Sequence, residues 1–382
     1  IALELQPGDR FGASPTRLGD LDGDRNPEIA VGAPAAGKMS AGEGAVWILT
    51  VDAEDRLVAR NRIVRPAGLG PEPLQNGREL FGYALTSLSD LDGDGAGELA
   101  VGAPWFDSRA GITKDGGVWV LFLDRSGRVK HARELSAGTE PRLAGILDGD
   151  GFGAQTAALG DVDGDGIGDL AVGAHGSDDG GSGRGSVWIL FLRADASVRA
   201  AREISATEGG FAGLLEDEGH LGHGMCALGD VDGDGVPDLA VGAPFADGER
   251  PDLGVVWILF LRRDGTVRWE QRIAPDQFST GSLVKRKFGA RIDWIGDVNG
   301  DGRGEVAVGA EGDSRVFTLA RDGSVVASST EAIYGGGALF LGPVPEGGAL
   351  RYLHSNCKAN EERGWVGLHR FCLELRPEYP RR

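Results

Sequence analysis

Apolar and polar positions along this chain fall into short segments of strand length, and the order of these segments repeats. In the second copy of the pattern a small-residue run, ELAVGAP from Glu98, precedes a bulky apolar run, GVWVLFL from Gly117. The turn DRSG from Asp124 then leads into RVKHAREL from Arg128, in which apolar and charged residues alternate. Short apolar runs bounded by turn residues predict β-strands, and nothing long in the sequence repeats at helical spacing. The pattern therefore predicts an all-β fold.

Side-chain size changes from one predicted strand to the next within each copy. A segment that opens on an FG pair such as Phe81-Gly82 comes first, followed by the small-residue strand, the bulky strand and the charged strand. This order is expected if four-stranded sheets radiate from a crowded axis to a solvated rim, which is the architecture of a β-propeller. We expect the tryptophans that recur in the third strand to pack between neighbouring blades: Trp47, Trp119, Trp188 and Trp257.

The number of blades follows from what the repeats leave over. Five copies extend from Phe11 to about Ile333, and the remaining segment, 334–382, contains the strand-like runs ALFLGPV, ALRYLHS and WVGLHRF. The N-terminal IALEL, residues 1–5, precedes the first FG pair as each fourth strand precedes the next one, so it can supply the strand that this segment lacks. We predict one domain over residues 1–382, a β-propeller of four-stranded blades. Six blades are favoured over five or seven, with the N- and C-terminal strands closing the ring.

A loop rich in aspartate and glycine joins the first and second strands of each copy. The stretch GDVDGDGIGDLAVGAH, residues 160–175, carries four carboxylates within nine residues, and related stretches begin at Gly19, Ser89, Gly229 and Gly296. Carboxylates this close repel one another and need a counter-charge. Counted from the leading aspartate, the acids lie at positions 1, 3, 5 and 9, and position 6 is a turn glycine. With a backbone carbonyl at position 7 they offer the all-oxygen cage that suits calcium better than magnesium.

We therefore predict about five Ca²⁺ sites, one in each repeat. The residues at positions 1, 3, 5, 7 and 9 of loops 1 to 5 are Asp20, Asp22, Asp24, Asn26 and Glu28; Asp90, Asp92, Asp94, Ala96 and Glu98; Asp161, Asp163, Asp165, Ile167 and Asp169; Asp230, Asp232, Asp234, Val236 and Asp238; and Asp297, Asn299, Asp301, Arg303 and Glu305.

Two other interpretations of these loops were weighed. An EF-hand needs a bidentate glutamate at position 12, where all five loops have valine. A single Asp-Gly run is more often a simple surface turn, but five copies in register favour metal binding. The outer loops depart from the pattern, because Arg25 replaces the glycine of loop 1 and Asn299 replaces a carboxylate of loop 5.

The net negative charge of the chain can be attributed to the acids of these five loops. The formal net charge is −19, and the five loops together contain nineteen acids, so acidity elsewhere gives no reason to expect a basic partner. The sequence shows no Lys and Arg cluster with interleaved aromatics, which argues against nucleic acid, and no apolar run long enough to span a membrane. No signal peptide is visible, although the sequence begins at Ile1 rather than methionine and one could have been removed.

The three cysteines match neither a disulfide framework nor a zinc spacing. Cys226 aligns with Thr16, Thr86, Ala157 and Asp293 of the other repeats, so we expect a small packed residue there. Cys357 and Cys372 are expected near opposite ends of a hairpin and hence as free thiols, because a disulfide requires Cα atoms within about 7 Å.

The combined motif, FG followed by DxDGDGxxD and VGAP, resembles the FG-GAP repeat of the integrin α-subunit propeller and its bacterial relatives. The resemblance implies a propeller with calcium in the loop between the first and second strands on the lower face, and with partners on the upper face. Integrin propellers have seven blades, whereas this chain has room for about six. Leu221-Gly222 replaces FG in the fourth copy, and the GAP segment ends on His175 in the third and on Glu311 in the fifth. The arginine-rich, lysine-poor composition suits a bacterial source.

Two classes of function remain open at this point. The first is a non-enzymatic, secreted or cell-surface recognition or adhesion module that binds a protein or glycan on the upper face, where loops vary most. Its candidate ligand contacts are Trp105, Phe106, His175 and Phe245. The second is a propeller enzyme that acts on polysaccharide as a lyase or hydrolase, for which the candidate residues are His175, His220 and His223 with Arg184 and Asp178 nearby in sequence. The oligomeric state is left open.

Overall fold

The computed structural model describes residues 5–6, 8–36, 43–52, 57–65, 79–108, 114–247, 251–275, 286–298, 300–311, 313–329, 338–343, 349–356, 365–372 and 375–377. Within these ranges the protein is all-β, with one short 3₁₀ helix, η1 (Pro141–Leu143), between strands.

Five sheets contain four consecutive strands each, and we call them blades 1 to 5. Blade 1 consists of β1 (Pro15–Gly19), β2 (Glu28–Ala33), β3 (Ala45–Val51) and β4 (Leu57–Ile63). Blade 2 consists of β5 (Ala84–Ser87), β6 (Leu99–Ala103), β7 (Gly117–Leu123) and β8 (Val129–Leu135). Blade 3 consists of β9 (Phe152–Gly160), β10 (Asp169–Ala174), β11 (Ser186–Leu192) and β12 (Val198–Ile204). Blade 4 consists of β13 (Gly224–Gly229), β14 (Asp238–Ala243), β15 (Val255–Leu261) and β16 (Val267–Ile273). Blade 5 consists of β17 (Arg291–Gly296), β18 (Glu305–Ala310), β19 (Asp313–Leu319) and β20 (Val325–Ser329).

The remaining strands follow blade 5. β21 (Ala338–Pro343), β22 (Ala349–Asn356) and β23 (Trp365–Cys372) form a three-stranded sheet, and β24 (Leu375–Pro377) pairs with β20 at the outer edge of blade 5. All neighbouring strands within these sheets are antiparallel.

Burial within a blade follows the gradient expected from the sequence. In blade 2 the small residues of β6 and the bulky residues of β7 are buried along their whole length, whereas β8 mixes buried, half-buried and exposed positions. The second and third strands of blades 3 and 4 are buried in the same way. The interior therefore lies around the middle strands, and the fourth strand forms the solvated rim.

The first strands of the blades surround a common axis. β1 contacts β5, β5 contacts β9, β9 contacts β13 and β13 contacts β17. β21 contacts both β17 and β1, so the three-stranded sheet stands between blade 5 and blade 1. This arrangement is a β-propeller, as the sequence predicted.

The prediction of six four-stranded blades is wrong, because only five sheets have four consecutive strands in the described part of the chain. The three C-terminal runs form the three-stranded sheet, but the strand after them adds to blade 5 instead. Residues 1–4 of the proposed closing strand lie outside the described residues, and Leu5 packs against the interior of blade 1. The C-terminal segment has neither the FG pair nor the acidic loop, so it lacks the features that give the other blades their strand order.

Glycines of the FG and VGAP segments determine how closely two blades approach. A Cβ atom on Gly173, in β10, would lie 2.1 Å from the carbonyl oxygen of Gly222, which opens blade 4. Gly222 itself has a φ of 88°, a left-handed conformation that glycine adopts without strain. The same close approach relates Gly32 to Gly82, Gly102 to Gly153 and Gly242 to Gly289. The glycines of the FG and VGAP segments are therefore needed for a close backbone contact between neighbouring blades.

The apolar residue of the FG pair anchors each blade to the previous one. Phe81, Phe152, Leu221 and Phe288 form parallel bridges with the glycine that precedes the third strand of the preceding blade: Gly44, Gly116, Gly185 and Gly254. Leu221 is fully buried like Phe81 and Phe152. Leucine in the fourth copy thus occupies the place of phenylalanine.

Apolar clusters between adjacent blades form the core. One joins blades 1 and 2, another blades 2 and 3, a third blades 3 and 4, and a fourth blades 4 and 5. Trp119, Trp188 and Trp257 are buried in these clusters, as in the edge-to-face contact of Trp119 with Phe81 at 5.8 Å. Trp47 is buried in a further cluster within blade 1. Their recurrence is explained by packing.

Candidate calcium loops and the upper-face cluster

Loops 1 to 5 join the first and second strands of blades 1 to 5 at one end of the propeller, the lower face. The carboxylate at position 1 accepts hydrogen bonds from backbone N–H groups at positions 4 and 6; for Asp161 the donors are Gly164 at 2.6 Å and Gly166 at 2.8 Å. The same two bonds occur at Asp20, Asp90, Asp230 and Asp297. The position 7 N–H bonds the position 5 carboxylate in all five loops. The loops therefore share one conformation, even where Arg25 replaces glycine with a φ of 76°.

The acid at position 9 is the first residue of the second strand, or in blade 2 the residue just before it, and it is buried in all five blades. Asp169 is fully buried, and one of its oxygens accepts the backbone N–H of Val162 at 3.0 Å. Burial, opposed by backbone hydrogen bonds and reinforced by Asp163 and Asp165, raises the pKa of Asp169 to about 7. Burial likewise raises the pKa values of Glu98 and Asp238 to about 7. A buried carboxyl group beside other carboxylates is a place where a cation would favour the ionised form.

The geometry of the acids suits a divalent cation. Single oxygen atoms from three acids lie within 4.8 Å of one another in each of four loops: Asp20, Asp22 and Glu28; Asp90, Asp92 and Asp94; Asp161, Asp163 and Asp169; and Asp230, Asp232 and Asp234. Glu28 Oε1 and Glu98 Oε1 are buried without a hydrogen-bond partner, and such an atom needs a counterpart. An all-oxygen set of this kind fits calcium. In loop 5, Asn299 lies outside the described residues.

Basic side chains from the fourth strand reach three of these loops, which the sequence analysis missed. Lys130 in β8 forms ion pairs with Asp92, at 2.9 Å, and with Asp94. Arg199 in β12 pairs with Asp163 and with Asp165, and Arg268 in β16 pairs with Asp232 and with Asp234. The signal was present in the sequence, because a basic residue recurs at the second position of these strands.

The loops after the second and fourth strands meet at the opposite end, the upper face. His175 follows β10, His220 and His223 precede β13, and Phe245 follows β14. The ring centroid of His175 lies 5.6 Å from those of His220 and His223, and Phe245 lies 5.2 Å from His220 and 6.0 Å from His223. These four residues form one half-buried cluster, the upper-face cluster, between blades 3 and 4.

Burial controls the protonation of this cluster. Burial, with His223 and His220 nearby, lowers the pKa of His175 to about 3. Burial lowers the pKa of His223 to about 4, with Arg291 contributing in the same direction. His220 Nδ1 is hydrogen-bonded to the carbonyl oxygen of His175 at 2.8 Å, and Nδ1 of both His175 and His223 is buried without a hydrogen-bond partner. His175 and His223 are therefore neutral at pH 7.

Two predicted aromatic ligand contacts have different environments. Trp105 is 40% exposed, with Lys114 Nζ 5.1 Å from the centre of its ring. Phe106 is only 1% exposed and packs edge to face on Trp119 at 4.8 Å. The prediction that Phe106 contacts a ligand is wrong, because its side chain belongs to the core between blades 1 and 2.

The other residues considered for catalysis are engaged locally. Arg184 Nε donates to Asp217 at 2.7 Å, and Asp178 accepts the backbone N–H of Gly183 at 2.7 Å. The carboxylate of Glu218 lies 3.8 Å from His220 Nε2, beyond hydrogen-bond distance. Arg184 and Asp178 therefore serve loop structure in the described conformation.

A cavity of about 220 Å³ lies between the first strands at the axis. Thr16, Thr86, Ala157, Cys226 and Asp293, which the sequence aligned at one position, all line it. Burial raises the pKa of Asp293 to about 6, opposed by Arg291. Burial, followed by the effect of Asp293, raises the pKa of the Cys226 thiol well above its ordinary value. The short side chains at this position therefore surround an open space at the axis.

Comparison with known proteins agrees with this architecture. The FG-GAP repeat matches residues 11–49, 81–121, 152–190 and 226–259, which fall in blades 1 to 4. Integrin alpha-PS2 of Drosophila melanogaster is 33% identical over 235 residues, covering 60% of this chain and 15% of the relative. Integrin alpha-7 of Homo sapiens is 34% identical over 220 residues, covering 56% and 15%. Phosphatidylinositol-glycan-specific phospholipase D of Homo sapiens is 32% identical over 178 residues, covering 46% and 20%.

The match spans 15 to 20% of the length of these relatives. Within the part of the chain that the structure describes, no helix is long and apolar enough to cross a membrane. Strand order, the contacts of the FG and VGAP glycines and the four matched segments lead to the same assignment. The chain is a β-propeller that carries four FG-GAP repeats and is similar to integrin α subunits over 56 to 60% of its length.

Proposed function

We propose that this protein is a non-enzymatic recognition or adhesion propeller that works outside the cell, stabilised by calcium on its lower face and binding a protein or glycan on its upper face. The observation that carries the proposal is the separation of two kinds of chemistry at opposite ends of one rigid scaffold. Acidic loops with one shared conformation lie at the lower face, and the upper-face cluster lies at the other.

The lower-face part of the proposal is calcium binding. Three acids converge in each of loops 1 to 4, and Glu28 and Glu98 each keep a buried oxygen without a partner. Asp and Glu oxygens from positions 1, 3, 5 and 9, with the position 7 carbonyl, would hold the ion. Sites of this ligand type in extracellular modules bind at about 10⁻⁴ to 10⁻³ M, which suits an environment of millimolar calcium.

Isothermal titration calorimetry tests this part. We expect binding of Ca²⁺ with a stoichiometry of up to about five and expect Asp163→Asn to remove one site. Asp195→Asn is the matched control, because Asp195 is an acid in the lower-face turn of the same blade that accepts the Ser197 N–H at 2.9 Å. No heat of binding above buffer, or equal loss of binding in both variants, would contradict calcium binding by the loops.

The upper-face part is ligand recognition at the cluster of His175, His220, His223 and Phe245. The neutral imidazoles of His175 and His223 and the phenyl ring of Phe245 combine apolar surface with hydrogen-bonding atoms, the mixture that typically anchors ligands. Trp105, on the corresponding loop of blade 2, is exposed and offers a second aromatic contact.

A glycan array and a panel of extracellular matrix proteins test recognition. For a ligand that binds in either assay, we expect Phe245→Ala and Trp105→Ala to weaken binding about tenfold or more, as for aromatic anchors at interfaces. Val58→Ala is the control, because Val58 is exposed on the rim strand β4. Equal affinity of all three variants would place the ligand elsewhere.

The second candidate is an enzyme acting on polysaccharide. The observation in its favour is the convergence of three histidines, two of which are held neutral at pH 7. Turnover across a polysaccharide panel that is lost in His175→Gln and retained in His131→Gln would establish it. Binding without turnover would favour the recognition module.

A further inference from the structure

The basic side chains that reach loops 2, 3 and 4 form one repeated arrangement. Lys130, Arg199 and Arg268 each occupy the second position of the fourth strand of their blade, one residue after the residue that pairs with the end of the third strand. Each bridges the carboxylates at positions 3 and 5 of the loop in the same blade. Three independent copies make this a built contact of the repeat. We call these side chains the basic arms.

The same strand position is uncharged in the outer blades. In blade 1, β4 pairs Leu57 with Val51, so the equivalent residue is Val58. In blade 5, β20 pairs Val325 with Leu319, so the equivalent residue is Val326. The chain therefore contains blades with a basic arm and blades without one in the same fold.

The oxygens that the arms hold belong to the predicted calcium ligands. Lys130 Nζ lies 2.9 Å from Asp92 Oδ2, Arg199 Nη2 lies 3.1 Å from Asp165 Oδ2, and Arg268 Nη1 lies 3.2 Å from Asp234 Oδ2. The arms are partly exposed at the lower face. The charged end of a long side chain can move into solvent while its stem stays on the blade. For Arg199 this movement also gives up the contact of its guanidinium with the Phe191 ring, whose centroid is 5.7 Å away.

We propose that the basic arms are resident counter-charges that compete with calcium in blades 2, 3 and 4. Without calcium an arm neutralises the carboxylates at positions 3 and 5 and keeps the loop folded. When calcium binds, the arm releases these oxygens, because a positive charge about 5 Å from a divalent cation is repelled. This inference rests on the proposed calcium binding by the loops.

Replacing a basic arm by an uncharged side chain should have two opposite effects, one on calcium affinity and one on stability. The affinity of that loop for calcium rises about tenfold, the scale of the repulsion between a single and a double charge about 5 Å apart in a screened, solvent-exposed site. The stability of the calcium-free protein falls, because the carboxylates lose their counter-charge. If an arm only held the aspartates in a geometry suited to the metal, its removal would weaken calcium binding instead.

Calcium titration followed by NMR at a single loop tests the inference. The Gly166 amide donates to Asp161 at 2.8 Å and reports loop 3 alone. Arg199→Gln is compared with Arg202→Gln, which neutralises another arginine of β12. We expect Arg199→Gln to bind calcium at loop 3 about tenfold more tightly than Arg202→Gln, and to melt at a lower temperature in EDTA. If the metal-free variant is unfolded, the calcium affinity of loop 3 is measured in the other direction. The calcium-saturated protein is then titrated with a chelator of known affinity.

The reciprocal change adds an arm to blade 1. Val58→Arg, on an exposed position of β4, is expected to weaken calcium binding at loop 1, reported by the Gly23 amide that donates to Asp20. Unchanged or weaker binding at loop 3 in Arg199→Gln overturns the inference and leaves the proposed calcium binding intact. Absence of any calcium response at Gly166 in the unaltered protein overturns both.

Discussion

At the residue scale, the environment of a polar side chain decides its charge. Asp169 and Glu98 lie at strand starts where burial raises their pKa to about 7, whereas burial in the upper-face cluster lowers the pKa of His175 to about 3. Spacing along the chain predicted the convergence of the acids, because the loop is local. The convergence of His175 with Phe245 could not be predicted in this way, since it depends on how two blades pack.

Adjacent residues illustrate the same limit. Trp105 and Phe106 follow β6 in sequence and both suggested a ligand contact, yet one is exposed and the other is buried against Trp119. A loop has no fixed side-chain period, so the sequence does not indicate which residue turns inward. Only the position of blade 1 relative to blade 2 decides it.

The two buried histidines predict a specific dependence of stability on pH. Their folded pKa values, about 3 for His175 and about 4 for His223, lie below the ordinary value of 6.5. The unfolded chain therefore binds protons first, so the stability they contribute is complete above pH 6.5 and is lost as the pH falls toward 4. Between pH 7.5 and 5 we expect a loss of about 2 kcal/mol per histidine.

Urea unfolding of His175→Gln/His223→Gln at these two pH values measures this contribution. The double variant should lose about 4 kcal/mol less than the unaltered protein over that interval, whatever its absolute stability. His131→Gln, which removes a histidine that stacks on Phe122 in blade 2, should behave like the unaltered protein. A double variant with the same pH dependence would show that the two rings are accessible to protons.

At the element scale, the repeat determined what could be predicted. The strand order of blades 1 to 5 follows from a local pattern of small, bulky and charged residues, with antiparallel neighbours joined by short turns. The three-stranded sheet shows where this fails. β24 pairs with β20 through Ala327 and Pro377, a contact between distant segments that carry no repeat motif. The basic arms likewise connect a strand with a loop. In the sequence their only sign is a basic residue that recurs at the same position of the fourth strand.

The glycine of the VGAP segment predicts a difference between two chemically identical substitutions. Gly173→Ala would place a Cβ 2.1 Å from the Gly222 carbonyl of the next blade, whereas in Gly309→Ala the nearest atom among the described residues is the Arg291 Cβ at 3.3 Å. Backbone atoms cannot yield cheaply, so we expect Gly173→Ala to destabilise the protein by about 3 kcal/mol and Gly309→Ala by less than about 1 kcal/mol.

Thermal unfolding of the two variants in calcium measures this difference. The substitutions occupy the same position of β10 and β18, so intrinsic strand propensity cancels between them. Equal destabilisation would show that contact between blades is not the reason for glycine at this position.

The C-terminal hairpin predicts the state of its cysteines. β22 and β23 pair Ala349 with Cys372 at one end and Asn356 with Trp365 at the other, while Cys357 itself lies outside the described residues. Because Cys372 is opposite Ala349, the first residue of β22, about 23 Å of strand separates it from Asn356 at the other end. We expect free thiols at Cys357 and Cys372. Intact mass after denaturing alkylation without reductant should show all three cysteines labelled, and labelling of one alone would reveal a disulfide.

At the scale of the whole molecule, ring closure is a source of stability distinct from the proposed calcium sites. β21 contacts β1 and β17, so the three-stranded sheet joins the first and last four-stranded blades. Apolar clusters link each pair of neighbouring blades from 1 to 5. The carboxylates of the acidic loops lie at the lower face, and their number, nineteen, equals the net negative charge of −19. Apolar residues of the same loops, such as Leu91 and Val162, belong to the clusters. The propeller fold could be predicted from the repeat, whereas the composition of its closing sheet could not.

Chelation tests the contribution of calcium to the whole molecule. Each loop without metal holds several acids near one another, and a site occupied at a hundredfold excess over its Kd stabilises the native state by about 2.7 kcal/mol. Loss of several such sites should lower Tm by about 10 °C or more. We expect EDTA to produce this decrease, Ca²⁺ to reverse it, and equimolar Mg²⁺ to reverse it poorly, because magnesium retains its waters and a rigid octahedral geometry.

Two variants serve as controls for this measurement. In Asp163→Asn the decrease in Tm should be smaller by the contribution of one calcium site, and in Asp195→Asn it should be unchanged. A Tm that does not respond to EDTA would mean that the loops are folded by their own hydrogen bonds and basic arms, with no structural metal.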